Sequence, residues 1–450
     1  MSRVMNMTEG RPAKLMLKFA LPVVLTNLGQ QLYQIVDAAI VGRGVGVDAL
    51  AAVGCTDWTY WMVMWSVSVM TQGFATFVSR YFGKQDVVKI NKAITTSVYL
   101  SLIISALFVL IGVIGARPIL VLLRTPEAIL PQAVTYLTTM ISGIVIVAFY
   151  NLTAAILRAF GDSKSPLAAM IIAAVMNVAL DLLFVLVFHW GVFGAAFATI
   201  LAQMVSGIGC LLFALKTNSY FRLNHEDLQL DRGIIRQSVR LGLPMALQWS
   251  LISVSSTILQ TFVNSFGPAA MAAFTATNRI ESFVHMPFGS ISSALSTYAG
   301  QNFGAHDMKR VKEGFRHGML ISTVIIILLF VMFQLLSEPL MRLFVKEDEV
   351  ILLGAQALKM TSWFYIFLAL IYTSRSLLNG VGDAIFALMN GVVEVACRII
   401  IPLVLVALLP ALGVMSIWWA TVLTWITSSI FCLLRYYVWN KKADFSKSVV

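Results

Sequence analysis

The chain has 450 residues, of which 59% are hydrophobic and only 12% charged, about half the charged share of an ordinary soluble domain. That balance excludes a soluble globular fold, and the length leaves room for roughly a dozen membrane spans at about 35 residues per helix and loop. The basic excess, 32 Lys and Arg against 21 Asp and Glu, follows the two sides of the membrane rather than one patch, so no nucleic-acid partner is expected.

The first span, residues 15 to 42, is long enough to cross about 30 Å of hydrocarbon, yet it carries Asn27, Gln30, Gln31, Gln34 and Asp37. Asn27, Gln31 and Gln34 are spaced i, i+4, i+7, with Gln30 and Asp37 flanking the same side. The helix therefore turns a polar stripe toward protein or water. A carboxylate inside a span costs about 2.5–3.5 kcal/mol even on insertion scales, which makes Asp37 a candidate ion or substrate site. Arg11, Lys14 and Lys18 precede this segment as they would a signal peptide. No small-residue cleavage site follows, so it is read as the first helix.

Hydropathy places the remaining spans at 50 to 80, 92 to 114, 131 to 158, 166 to 190 and 194 to 215. A second set follows at 238 to 265, 270 to 301, 316 to 336, 353 to 379, 386 to 408 and 414 to 438. With both termini inside, 23 of the 32 Lys and Arg fall on the cytoplasmic side and five on the other. That asymmetry fixes the orientation.

A shift of 221 residues aligns the two halves. DALAAV at 48–53 matches AAMAAF at 269–274, FGKQD at 82–86 matches FGAHD at 303–307, and Gly161-Asp162 matches Gly382-Asp383. Pro118 falls on Pro339, and the ends need a shift of one more, with Gly191-Val192 on Gly413-Val414. Six spans return the chain to its starting side, so the repeats are parallel. The expected architecture is an all-α membrane protein of twelve transmembrane helices. It comprises an N-lobe at 1–215, a cytoplasmic connector at 216–237 and a C-lobe at 238–450, with a substrate route between the lobes lined largely by helices 1 and 7.

Helix 5 carries Asn177 and Asp181 one turn apart on one face. With Asp37 they would supply side-chain oxygens able to bind a proton or Na⁺. In the second half Asp37 falls on Ile258, Asn177 on Arg398 and Asp181 on Pro402, so ion binding is expected in the first lobe only. Helix 11 instead has Glu394 and Arg398 at i, i+4, read as a buried salt bridge. The partners of Arg279 and Glu281 are not evident from spacing. Asn27, Gln34 and Gln248, the repeat mate of Asn27, are candidates for hydrogen-bonding substrate. In the turn 161–166, Ser165 is read as the helix cap and Pro166 as the first helical residue. Cys55, Cys210, Cys397 and Cys432 have no metal or redox spacing, and the five His are dispersed, so no enzyme and no cofactor are expected.

Taken in order, the polar first helix with VDAAIVG (36–42), RAFGD (158–162), NVALD (177–181), GVFGAAFAT (191–199) and GLP (242–244) resemble the multidrug and toxic compound extrusion family. The resemblance covers nearly the whole chain. It implies two six-helix lobes in a V shape, and antiport of lipophilic, often cationic small molecules against H⁺ or Na⁺ across the plasma or inner membrane. It places Asp37, Asn177 and Asp181 in a first-lobe cation site, with Tyr136 and Thr199 as neighbours, and Pro22 where the first helix is proposed to bend. A monomer surrounded by membrane lipid is expected. This chain has Ala154 where some members carry Asn on helix 4, and residues 242–266 lack the carboxylate some carry on helix 7. The alternative, a lipid-linked sugar flippase of the same broader superfamily, would need a cleft rich in Arg and Lys, and few basic residues lie within spans here. A major-facilitator carrier shares the six-plus-six plan, but RYFGKQDVVKINK lacks its Gly-Asp-Arg signature.

Overall fold

The computed structural model describes residues 4–221 and 228–445; of the connector 216–237, residues 222–227 lie outside the described residues. Described residues form fourteen α-helices and no strand. In the first half these are α1 (Pro12–Gly44), α2 (Val47–Gly83), α3 (Val87–Leu122), α4 (Leu130–Ser142), α5 (Ile144–Ala159), α6 (Lys164–Asp181) and α7 (Gly191–Thr217). Then come α8 (Arg232–Asn264), α9 (Pro268–Gly304), α10 (Met308–Arg342), α11 (Asp348–Ser362), α12 (Tyr365–Gly380), α13 (Ala384–Leu408) and α14 (Ser416–Phe445). The chain divides into two compact units. Unit 1 holds Met1–Met7 and Leu21–Ala246, and unit 2 holds Thr8–Ala20 and Leu247–Val450. The chain passes between units three times, once at Met7–Thr8 ahead of α1 and twice inside helices, in α1 and α8, beside Pro22 and Pro244.

Twelve crossings arise from fourteen helices because two spans are broken. The expected helix at 131–158 is α4 and α5, bent by 42°, and that at 353–379 is α11 and α12, bent by 55°. The first break lies at Gly143, where Ile200 of α7 occupies the space a side chain would fill, with Cγ1 at 2.4 Å from an ideal Cβ. Other boundaries shift outward. The third span was expected to end at 114, yet α3 continues through Pro118 to Leu122. A proline near a helix end removes one backbone hydrogen bond, and the final turn survives it.

Among the described residues, seven helices are long and apolar enough to cross a membrane, and the two bent pairs bring the number to nine. The others, α1, α2 and α9, are the polar ones. On α2 Thr56, Ser66, Ser68, Thr71 and Ser79 are buried, and on α9 Thr277, Glu281, Ser290, Gln301 and Asn302 are. Helix α3 has the inverse of a soluble pattern. It exposes Ile103, Leu107, Leu110 and Ile114 and buries Ser97, Ser101 and Ser105. Lipid solvates the apolar face, while small polar side chains spend their hydroxyls on their own helix: Ser97 donates to the Ala93 carbonyl and Ser105 to that of Ser101.

The repeat is visible in the backbone. Asp86 caps α3 by accepting from Lys89 N at 3.1 Å, and its mate Asp307 caps α10 by accepting from Arg310 N at 3.0 Å. The residues before them, Gln85 and His306, have φ of 61° and 59°, while Gly161 and Gly382 have 80° and 79°. One cap differs from expectation. Ser165 does not cap α6; the Asp162 carboxylate does, accepting from Lys164 N at 3.0 Å and Ser165 N at 2.9 Å as well as from the Ser165 hydroxyl. A carboxylate is the stronger acceptor for unpaired N–H groups, and α6 accordingly starts at Lys164, two residues ahead of Pro166. Asp162→Ala is expected to cost about 0.5–2 kcal/mol, toward the upper end because the carboxylate is buried, read as a lowered unfolding temperature in detergent. An unchanged temperature would remove this cap from the determinants of stability.

Candidate functional site

Helix α6 exposes Ile171, Ile172 and Val175, which turns Asn177 and Asp181 into unit 1, where they are 1% and 0% exposed. Directly after Asp181 the helix widens into a π-helical stretch, Leu182–Val187. Such insertions shift the register of a helix and recur at functional sites.

Asp37 of α1 and Asp181 of α6 act on each other electrostatically. The two carboxyls stand within hydrogen-bonding reach of each other; both Asp181 oxygens and Oδ1 of Asp37 are buried and take no hydrogen bond from any other residue, and the ion pairs among the described residues lie elsewhere. Two carboxylates therefore face one another with no counter-charge. The hydroxyls of Tyr33 and Tyr136 lie in the field of both, and Asp57 of α2 acts on Asp37 and Tyr136. Tyr136 is held by packing among Val41, Met140, Val185 and Ala195.

Next to this pair lies a small cavity of about 20 Å³ lined by Gln30, Tyr33, Tyr150, Asn177, Thr199, Gln203 and Ser206 with Met170 and three alanines. That is space for about one water molecule or a bare ion. Asn177 Nδ2 and Oδ1 are buried without partners, while the Gln203 and Ser206 side chains lie within reach of the Tyr33 and Tyr150 hydroxyls. Buried polar atoms are normally satisfied, so unspent donors and acceptors around a water-sized space mark a place for a small polar guest. Among the described residues no group of three or more His, Cys, Asp or Glu is placed to hold a metal ion; the donors here are two carboxylates, an amide and hydroxyls.

The structure thus brings Asp37, Asp181 and Tyr136 together, and sets Asn177 and Thr199 on the adjoining cavity. Tyr33, Gln203 and Ser206 were not singled out from sequence. Their signal was present: Tyr33 is one turn before Asp37, and Thr199, Gln203 and Ser206 are spaced i, i+4, i+7 on α7. Of the proposed substrate ligands, Asn27 and Gln34 are half-buried on α1. Gln248 belongs to unit 2, where it is 1% exposed and its Nε2 has no acceptor. Pro22 is buried within α1, which runs on as one helix with Thr26 Oγ1 donating to the Pro22 carbonyl at 2.9 Å.

In unit 2 the expected Glu394–Arg398 bridge is absent. Glu394 pairs with Arg375 of α12 at 3.8 Å and accepts from Asn390 Nδ2 at 2.9 Å, while Arg398 donates to Ser256 of α8. Residues four apart on a helix can meet, but partners on neighbouring helices were closer in this case. Glu281 accepts from Thr361 at 3.1 Å and Tyr365 at 3.4 Å. Arg279 is exposed.

A family model described as MatE matches residues 22–183 and 244–404, once in each repeat. The probable multidrug resistance protein YpnP of Bacillus subtilis (strain 168) is 28% identical over 390 residues, 86% of this chain and 87% of that protein. The probable multidrug resistance protein NorM of Thermotoga maritima is 24% identical over 453 residues, 97% and 95% of the two chains. In fold, the chain is similar to a crystal structure of MATE in the bent conformation, with a TM-score of 0.91, 21% identity and 98% coverage of both. One family model matching twice over most of the sequence, on a twelve-span helical fold, makes this chain a member of the MatE family of multidrug and toxic compound extrusion proteins, which are membrane transporters and not enzymes.

Proposed function

We propose that the protein is a secondary active multidrug exporter that exchanges lipophilic, often cationic compounds for H⁺ or Na⁺. The observation that carries the ion half is the Asp37–Asp181 pair, two carboxyls set together with no cationic side chain paired to either among the described residues, beside a water-sized polar cavity. Repulsion between two facing carboxylates is relieved by one proton or one Na⁺, and a hard cation is suited by the carboxylate, amide and hydroxyl oxygens on Asp37, Asp181, Asn177, Tyr136 and Thr199. The names of the two relatives support the multidrug half.

In this reading, residues 1–215 and 238–450 form the two lobes, joined by a connector at 216–237, with both termini cytoplasmic and the chain working as a monomer in the plasma or inner membrane. Ion entry from outside alters the packing of α1 near Pro22 and favours substrate release, with Asn27 and Gln34 of unit 1 and Gln248 of unit 2 as the candidate hydrogen-bonding side chains. Loss of the ion to the inside favours substrate binding again. Coupling requires only that ion and substrate prefer different states or compete.

The test is export of a fluorescent lipophilic cation from proteoliposomes under a pH gradient and a Na⁺ gradient imposed separately. Export driven by one gradient establishes antiport and names the ion. No gradient-dependent export for several such cations would overturn the reading in favour of a lipid flippase.

A further inference from the structure

Unit 2 contains a second polar cluster that the ion site does not use, and its charges do not balance. Arg375 is 9% and Glu394 7% exposed, and they form the one ion pair of the cluster at 3.8 Å. Arg398, one turn beyond Glu394, reaches Ser256 and has no carboxylate within ion-pair distance among the described residues. His285 of α9 lies in the field of both guanidiniums, with Nδ1 3.1 Å from the Tyr372 hydroxyl. Two guanidiniums thus share one carboxylate whose oxygens also serve Asn390 and Ser428. The Arg375 guanidinium is flanked by the rings of Trp249 and Tyr372, with centroids at 5.7 and 5.2 Å.

A surplus positive charge inside apolar helices is costly unless a partner neutralises it. Arg398 belongs to a 21-residue span of mean hydropathy 2.3, so lipid chains do not supply that partner. Gln248, on the same helix as Ser256, adds a buried donor without an acceptor; it packs on α13 at Gly391, where an ideal Cβ would stand 3.0 Å from Gln248 Cα. Planar guanidinium forks match carboxylate and phosphate geometry, and aromatic faces beside them suit a ring-bearing body.

We propose that this cluster binds an anionic group, a carboxylate or phosphate, on an amphiphilic molecule, with Arg398 and Arg375 as its counter-charges and Gln248 as an added donor. The proposal rests on the transport reading for its consequence, since it extends the carried class from cations to zwitterions and anions. It does not rest on that reading for its test. The same chemistry can reach the site as a group on a carried solute or as a lipid headgroup phosphate.

The test is equilibrium binding to the purified protein in detergent, with no gradient present, using three dansyl probes that differ at one end: dansyl-6-aminohexanoate, its methyl ester and dansylcadaverine. The carboxylate is expected to bind about tenfold or more tighter than the ester. Arg398→Gln is expected to abolish that preference, and Glu394→Gln, which keeps a hydrogen-bonding side chain at the position, to enlarge it severalfold. Displacement of the carboxylate by phosphatidylglycerol and not by phosphatidylcholine would assign the anion to lipid, and displacement by neither would assign it to a solute. Equal binding of acid and ester, or a preference that both variants leave unchanged, overturns the proposal. Failure of gradient-driven export with the preference intact would instead sink the antiport reading and leave the anion site standing.

Discussion

Asp37→Asn and Asp181→Asn proteins are expected to insert, fold and bind a lipophilic cation, and to lose gradient-driven export. Asparagine keeps the size and hydrogen-bonding capacity of each side chain while removing the charge that repels its partner. With one carboxylate left there is no repulsion for the entering ion to relieve, so occupancy no longer distinguishes two states of the helix packing. Coupling between sites is typically about 1–3 kcal/mol, a 5- to 150-fold effect, and the driven rate should fall by that order toward the rate without a gradient. The two changes should not add, because each removes the same pair. Parallel export and ligand-binding measurements separate lost coupling from lost substrate. Wild-type driven export by both variants would eliminate the pair as the ion site.

Gly161→Ala is expected to destabilise unit 1 more than any loop change of similar size. Gly161 is the fourth residue of the RAFGD turn, with φ of 80°, and the Met5 carbonyl oxygen occupies the space a Cβ there would fill. The close approach has a cause: Met5 N donates to the Phe160 carbonyl at 2.9 Å, which lays the N-terminal segment across the turn. A left-handed backbone costs a side chain roughly 1–2 kcal/mol, and overpacking against neighbours about 1–3 kcal/mol more. Backbone is the obstacle on both sides, so rotamer changes relieve neither. Gly289→Ala is the control, since it lies inside α9 with no atom within 4 Å of its Cβ and should leave the unfolding temperature unchanged or raise it. Equal temperatures for the two variants in detergent would show that the turn does not require glycine.

Much of this was legible in the sequence because membrane helices advertise themselves by length and hydropathy, and because a fixed shift of 221 carries local chemistry with it. Asp86 and Asp307 cap corresponding helices, and Gly161 and Gly382 take the same backbone conformation. The breaks in α4–α5 and α11–α12 were not legible. Hydropathy averages over a bend, and Gly143 is needed because of Ile200, 57 positions along the chain. Asp37, Asn177 and Asp181 stood out because charge and amide are rare in spans. Tyr136 was reached through the family resemblance and not from its own residue type, while Tyr33 carries a hydroxyl on an otherwise apolar ring and only the fold shows that it lies beside the carboxylates. The Glu394 assignment failed for a related reason: spacing identifies neighbours on one helix and is blind to Arg375 on another.

The cavity beside Asn177 has a consequence for how an ion travels. The cavity has room for about one water, so a coupling ion that lodged there would exchange much of its hydration shell for side-chain oxygens. Stripping is repaid only by oxygens already in place, and the size of that debt differs among alkali ions. Selection would therefore be made at the threshold, where water is exchanged for Asn177, Thr199 and Gln203, rather than by the net charge of the site. A proton delivered along water pays no such toll, which makes the two candidate ions separable by their rates of entry as well as by their affinities.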